Sequence, residues 1–121
     1  MQKMTRAEFD EEIERILKKA TETLTSKNTG YSEQGDGDPF HNFRVAAKLQ
    51  GITPKQAAAG MLAKHTVSVY DLCAKQDISD GEVWDEKIQD HINYLLFIRA
   101  MAEEEINNYH GEQTGFTGYS V

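Results

Sequence analysis

Cysteine and proline are scarce: the chain of 121 residues contains one cysteine and two prolines. The single cysteine, Cys73, excludes an internal disulfide and excludes a zinc site built from several cysteines of one subunit. Because Cys73 follows Tyr70, Asp71 and Leu72 in a helical apolar pattern, we interpret it as a small buried hydrophobe more than as a nucleophile.

Positive charge is also scarce. Thirteen lysines and arginines stand against twenty aspartates and glutamates, which gives a net charge of -7 and a pI of about 5.0. Nucleic acid and anionic membrane surfaces repel such a chain, so neither is expected as a partner. A small anionic ligand in a shielded pocket stays compatible with the composition, because the local field outweighs the net charge.

Long apolar runs are lacking as well. The longest, Ala57–Ala63 and Tyr94–Ile98, fall far short of the ~20 residues that a membrane span needs. No charged segment followed by an apolar one stands at the N-terminus, so no signal peptide is expected. The sequence therefore predicts a soluble protein of a reducing, cytoplasmic compartment.

Capping signals and apolar periodicity predict the first two helices. Thr5 and Glu8 have the spacing of a capping box, in which each side chain satisfies a free backbone amide at a helix start. Apolar residues then recur at steps of three and four, which predicts a helix over roughly 6–26. A short helix over about 40–50 directs Phe40 and Phe43 inward and ends at Gly51.

Two longer helices are predicted in the second half of the chain. Thr53 and Pro54 are typical of a helix start, and the helix that they open runs to about Lys75. A further capping signal at 79–82 opens a fourth helix, which reaches about Asn107.

The predicted fourth helix carries two apolar stripes, which is more than one small chain covers. We therefore expect a homo-oligomer. If the protein instead docks a host or phage partner, the second stripe would be the exposed face that binds it. The main stripe comprises Trp84, Ile88, Ile92, Leu95, Ile98 and Ala102, and the second comprises Tyr94, Phe97 and Met101.

These elements define the expected fold class as all-α. It is a helical bundle of three long helices and one short helix, with a glycine-rich loop after the first helix. We expect a single helical domain over roughly 1–108 and a flexible C-terminal tail over about 109–121.

The glycine-rich acidic stretch at 28–43 interrupts the helical pattern. Glycines permit backbone shapes that other residues resist, so such a loop is where a helical protein would recognise a ligand. Tyr31 or Phe40 would stack on a base, and Asn42 would hydrogen-bond to it. Neither the spacing of phosphate-binding loops nor the ligand pattern of calcium loops is present. A plain connector anchored by Tyr31 and Phe40 is the alternative.

Polar residues follow one line on each of the last two helices. On the third helix, Lys64, Ser68 and Asp71 recur at steps of four and three. On the fourth helix, Asp90 and Asn93 lie on a similar line among apolar residues. Helical bundles build ligand and metal sites where such lines face each other. The alternative is that both lines are solvated faces with ordinary surface ion pairs.

If the two lines face each other, Asp71 and Asp90 supply oxygen ligands for Mg²⁺. Lys64 would contact a phosphate, while Ser68 and Asn93 would hydrogen-bond a sugar or a base.

His65 lies in an apolar stripe beside this line, where a histidine satisfied within the core is more common than a catalytic one. The full set of candidate ligand-binding residues is Tyr31, Phe40, Asn42, Lys64, His65, Ser68, Asp71, Asp90 and Asn93.

Amide, aromatic and acidic residues recur in a fixed order along much of the chain. They form the motifs Lys27-Asn28-x-x-Tyr31-Ser32, Asp38-Pro39-Phe40-x-Asn42-Phe43, Leu49-x-Gly51-Ile52-Thr53-Pro54, Gly60-Met61-Leu62-x-Lys64-His65-x-x-Ser68-x-x-Asp71 and Asp90-x-x-Asn93-Tyr94. Over roughly 27–98, this order resembles a family of small phage and prophage proteins, the nucleotide-modification-associated domain. The resemblance implies a helical bundle, a phage origin, the cytoplasm of a host cell and a nucleotide-related role.

The predicted helical bundle is also distantly similar to the all-α nucleoside triphosphate pyrophosphatases of the MazG kind. That family holds Mg²⁺ with Glu-Glu-x-x-Glu on one helix and Glu-x-x-Asp on the next. Here Glu11-Glu12-Ile13-Glu14 is one residue short of the first motif, and Glu82-Val83-Trp84-Asp85 matches the letters of the second.

The leading hypothesis is therefore a nucleotide-type ligand bound between the last two long helices, without turnover. One alternative is a nucleotide pyrophosphohydrolase that uses Mg²⁺, so whether the protein is an enzyme stays open. The other is a structural or interaction protein that docks a host or phage partner.

Overall fold

Four helices make up the computed structural model, which describes residues 2–25, 37–75 and 80–114. They are α1 (Arg6–Thr25), α2 (His41–Gln50), α3 (Pro54–Ala74) and α4 (Gly81–Thr114). No strand occurs within those ranges, so the expected all-α architecture of three long helices and one short one is confirmed. None of the described helices is long and apolar enough to cross a membrane.

The helix boundaries follow the sequence signals except at the end of α4. This helix continues to Thr114, so Tyr109–Thr114, which the sequence assigned to the tail, are helical. The rest of the predicted tail and most of the glycine-rich loop lie outside the described residues.

Side-chain caps begin α1 and α3 as the sequence predicts. The Thr5 hydroxyl accepts from the Glu8 amide at 3.1 Å, and the Glu8 carboxylate accepts from the Thr5 amide at 2.8 Å. The same reciprocal bonds join Thr53 and Gln56 at 3.2 and 3.0 Å. A cap of this kind contributes about 1 kcal/mol to helix stability.

At the start of α4 an aspartate serves as the cap. Asp80 Oδ1 accepts from the amides of Glu82 at 3.1 Å and Val83 at 3.3 Å. Ser79, the first residue of the predicted capping signal, lies outside the described residues. At the end of α2, Gly51 adopts the left-handed conformation with φ of 70°, which confirms it as the helix stop.

α2 packs on α3 and reaches α4 through Phe40 and Phe43, whereas α1 and α3 pack along α4. α3 lies antiparallel to it: Lys55 near the start of α3 pairs with Glu105 at 2.8 Å, whereas His65 lies 3.8 Å from Asp90. α1 runs in the same direction as α4, since its residue Arg15 contacts the first turns of α4 and its later residues reach the core.

The core forms where α2 meets α4. It consists of Phe40, Phe43, Ala58, Phe97 and Met101. The Phe97 ring packs edge-to-face against Phe43 at 5.0 Å and against Phe40 at 6.3 Å between centroids. Burying one such side chain stabilises the fold by about 1.5–3 kcal/mol.

Two expectations about burial are wrong. The second stripe of α4 is the core face, because α2 covers it: Phe97 is 6% and Met101 2% exposed, and Tyr94 is partly buried. The main stripe is the more open one, with Leu95 49% exposed. Cys73 is exposed, because successive helical positions point about 100° apart and Leu72 takes the inward one.

Arg44 holds the start of α2 in place. Its guanidinium donates to Asp38 at 2.6 Å and to Glu104 of α4 at 2.8 Å, and it lies over the Phe40 ring. The Arg44 hydrogen bond, with a smaller contribution from the Phe40 amide, holds the pKa of Asp38 below its usual value.

Asp85 links α4 to α1 through ion pairs. Arg15 donates two hydrogen bonds to its carboxylate, both at 2.9 Å, and Lys19 donates a third at 3.1 Å. The Arg15 bonds are the main reason that the pKa of Asp85 falls to about 2, with Lys19 adding to them. Farther along α1, Ala20 is fully buried and Leu24 packs on the core.

Substituting Asp85→Asn should weaken the docking of α1. We expect the free energy of unfolding at pH 7 to fall by about 1 kcal/mol, since solvent screens the half-exposed Arg15. A carboxyl group whose pKa is lower in the folded than in the unfolded state stabilises the fold at pH values above its unfolded-state pKa. It loses this contribution as the pH falls through the folded-state pKa. The difference between wild type and variant in urea unfolding should therefore vanish between pH 4 and about 2.

The matched control is Asp10→Asn, which removes a carboxylate that pairs with an exposed Arg6 on the same helix. It should leave the unfolding midpoint unchanged. An equal loss in both variants would show that Asp85 acts through net charge and not through its contacts.

Candidate functional site

Asn93 is the most unusual side chain of the described structure. It is 1% exposed and is the largest side chain that is fully buried. Among the residues that the structure describes, neither its Oδ1 nor its Nδ2 has a hydrogen-bond partner. Each buried polar group left unpaired costs about 1–3 kcal/mol. Native proteins keep few such groups, so this amide calls for an explanation beyond folding.

The site opens to solvent at Asp90, one turn before Asn93 on α4. The Asp90 carboxylate lies 3.8 Å from His65 Nδ1 of α3, and the two side chains are 34% and 18% exposed. This pair confirms that part of the polar line of α4 faces α3. We call the contact zone of His65, Thr66, Asp90, His91 and Tyr94 the α3–α4 seam.

Aromatic rings line the seam beside the polar pair. The His65 and Tyr94 rings lie 4.8 Å apart at a tilt of 33°. The Tyr94 hydroxyl reaches Met61 Sδ at 3.9 Å, and its ring meets Phe43 edge-on at 5.9 Å. Aromatic rings and hydrogen-bonding groups are thus in contact with one another in the seam.

The seam holds a second polar contact, which the sequence did not predict. Thr66 Oγ1 and His91 Nε2 are hydrogen-bonded at 2.9 Å. Thr66, His91 and Tyr94 were not among the candidate residues. One signal was available for Tyr94, since it completes the motif that begins at Asp90.

Three candidate ligand-binding residues of α3 do not join His65 in the seam. The side chains of Lys64 and Asp71 are exposed, and the Ser68 hydroxyl donates to the Lys64 carbonyl of its own helix at 3.3 Å. The sequence predicted that the polar lines of α3 and α4 face each other along their whole length. Of the candidate residues on these two helices, the structure brings His65 and Asp90 together.

None of the candidates from the loop region is among the seam residues, and one of them lies outside the described part of the chain. Phe40 is buried in the core, where its ring packs on Phe97. Asn42 is exposed in the first turn of α2. Tyr31 lies outside the described residues.

Mg²⁺ binding by Asp71 and Asp90 stays a prediction. Among the residues that the structure describes, no three or more histidine, cysteine, aspartate or glutamate side chains come together in a way that could hold a metal ion.

The two acidic motifs do meet, in an open groove of about 510 Å³ between α1 and the start of α4. Arg15 occupies the space between their carboxylates: it donates to Glu12 at 2.7 and 3.0 Å and to Asp85 at 2.9 Å. A guanidinium thus neutralises these carboxylates in the described structure, and the cluster serves to hold α1.

Comparison with family models, with curated proteins and with solved structures finds no match to the chain. The resemblance to the phage domain and the more distant one to the pyrophosphatases accordingly stay predictions from the motifs.

Replacing the unpaired amide with a hydrocarbon of similar size should stabilise the ligand-free protein. We expect Asn93→Leu to raise the free energy of unfolding by about 1–2 kcal/mol, because the cost of an unpaired buried amide is removed. Urea unfolding of ligand-free protein measures this, with Asn107→Leu, an exposed position on the same helix, as the control. A loss of stability in Asn93→Leu would mean that the amide is already satisfied.

Proposed function

We propose that the protein binds a ligand of the nucleotide type, meaning a base, nucleoside or nucleotide, at the α3–α4 seam and releases it unchanged. The observation that carries this proposal is the buried Asn93 amide, for which the described part of the chain supplies no hydrogen-bond partner. Its cost to the free protein is offset when a ligand supplies the missing hydrogen bonds.

The chemistry of the amide favours a heterocyclic base. An asparagine side chain presents a donor and an acceptor in one plane, and nucleobase edges carry the complementary pair, as in recognition of adenine by asparagine. The rings of Tyr94 and His65 supply stacking partners, and each stacked base contributes about 1–3 kcal/mol in other proteins.

A ligand would reach the amide from the side of Asp90. Because Asp90 is about one-third exposed and lies one turn from Asn93, the seam is open to water at that point. The unbranched Met61 side chain, which rests against the Tyr94 hydroxyl, changes rotamer at low cost and would let the ring move.

Native mass spectrometry of protein taken directly from cells tests the proposal, followed by thermal shift with bases, nucleosides and nucleotides. We expect a bound species in the mass range of this class and a ligand-dependent rise in melting temperature. Asn93→Leu should abolish both, whereas Asn107→Leu should preserve them. Recovery of the ligand unaltered distinguishes binding from the pyrophosphohydrolase alternative, which predicts release of phosphate or pyrophosphate.

A second function, assembly into a homo-oligomer, is favoured by a separate observation. An apolar row runs along the side of α4 that faces away from the core, and Leu95, Ile106 and Tyr109 in it are 49%, 44% and 59% exposed. Exposed apolar rows of this length mark interaction surfaces. We propose that a second copy of the chain covers this row.

Light scattering after size-exclusion chromatography tests the assembly. We expect an oligomer at micromolar concentration that Leu95→Glu converts to a monomer, because a charge would be buried at the contact. Leu49→Glu, at an 83% exposed apolar position of α2, is the control and should leave the oligomer intact. A monomeric wild type would remove the basis for this second function.

A further inference from the structure

We infer that the α3–α4 seam selects an uncharged base or nucleoside and disfavours its phosphorylated forms. This inference rests on the proposed function, and it names the ligand class of the same site.

Most of the basic groups on the elements around the core are already paired with carboxylates. Arg44 is held by Asp38 and Glu104, and Lys55 is held by Glu105 at 2.8 Å. The two cations of α1 nearest to α4 are held by Asp85. A phosphate would have to compete with these pairs for its counter-charge.

The charged group at the mouth of the seam is itself an acid. Asp90 lies one helical turn from Asn93, and residues at this spacing have Cβ atoms about 5–6 Å apart. A phosphate carried by a ligand that reaches Asn93 would therefore enter the field of the Asp90 carboxylate. At an effective dielectric constant near 20, repulsion between such charges costs about 1–2 kcal/mol over 8–16 Å.

Two lysines of α3 and α4 do not cancel the negative charge of Asp90. Lys64 is exposed on α3, and Lys87 on α4 stands between the acids Glu86 and Asp90 in sequence. Asp90, in contrast, lies within the seam, 3.8 Å from His65, so its carboxylate is placed where an incoming phosphate would meet it.

Titration calorimetry of the full chain with a nucleoside and its 5′-monophosphate, for each of the common bases, tests this inference. For the base that binds, we expect the monophosphate to bind on the order of tenfold more weakly than the nucleoside at low salt. The difference should shrink at 0.5 M salt, because exposed charges are then screened.

Asp90→Asn is the diagnostic variant. It should bring the monophosphate to within about threefold of the nucleoside, because the repulsive charge is removed. The readout is the ratio of the two dissociation constants within the variant, so a change in His65 packing that affects both ligands equally does not alter it. Glu112→Gln removes one negative charge near the far end of α4 and should preserve the tenfold preference. An equal effect of both variants would overturn the assignment to Asp90.

Tighter binding of the monophosphate than of the nucleoside would overturn the inference, above all if Lys87→Met removed the gain. In that case the proposed function still stands, provided that Asn93→Leu abolishes binding of the monophosphate. If no base, nucleoside or nucleotide binds to the wild type, the proposed function fails together with the inference.

Discussion

The packing of α2 on Phe97 is the contact on which the rest of the structure depends. Phe40 and Phe43 can approach Phe97 only if the face of α4 that carries Asn93, Phe97 and Met101 is turned inward. α2 is followed by a tight turn at Gly51, so its position also fixes the start of α3 beside α4. The antiparallel pairing that results brings His65 to Asp90 and creates the seam.

A core this small provides only a small margin of folding stability. Native domains are stable by about 5–15 kcal/mol, so an unpaired buried amide takes a notable share of that margin. The proposed ligand would satisfy this amide, and the partly exposed Asp90 one turn away marks the side from which it would approach. The ion pairs of Arg15 and Arg44, by contrast, are satisfied within the chain and serve to hold α1 and α2.

The proposed ligand site and the proposed assembly surface lie on different sides of α4. Asn93 and Leu95 are two positions apart on a helix, which separates their side chains by about 200° around the axis. One is fully buried and the other is half exposed. Ligand binding and assembly can therefore coexist, and a substitution at one position leaves the other surface intact.

The sequence by itself determined the helices and their caps, because these depend on neighbouring residues: Thr5 with Glu8, Thr53 with Gln56, and the left-handed glycine at position 51. It also singled out Asn93 and Asp90 as polar residues amid apolar ones. Only the tertiary structure decided which stripe of α4 is buried, since both stripes have helical spacing and the choice rests on packing with α2. It likewise decided that His65 meets Asp90 while Lys64 and Asp71 stay exposed, because facing across a bundle depends on how the helices are rotated against each other.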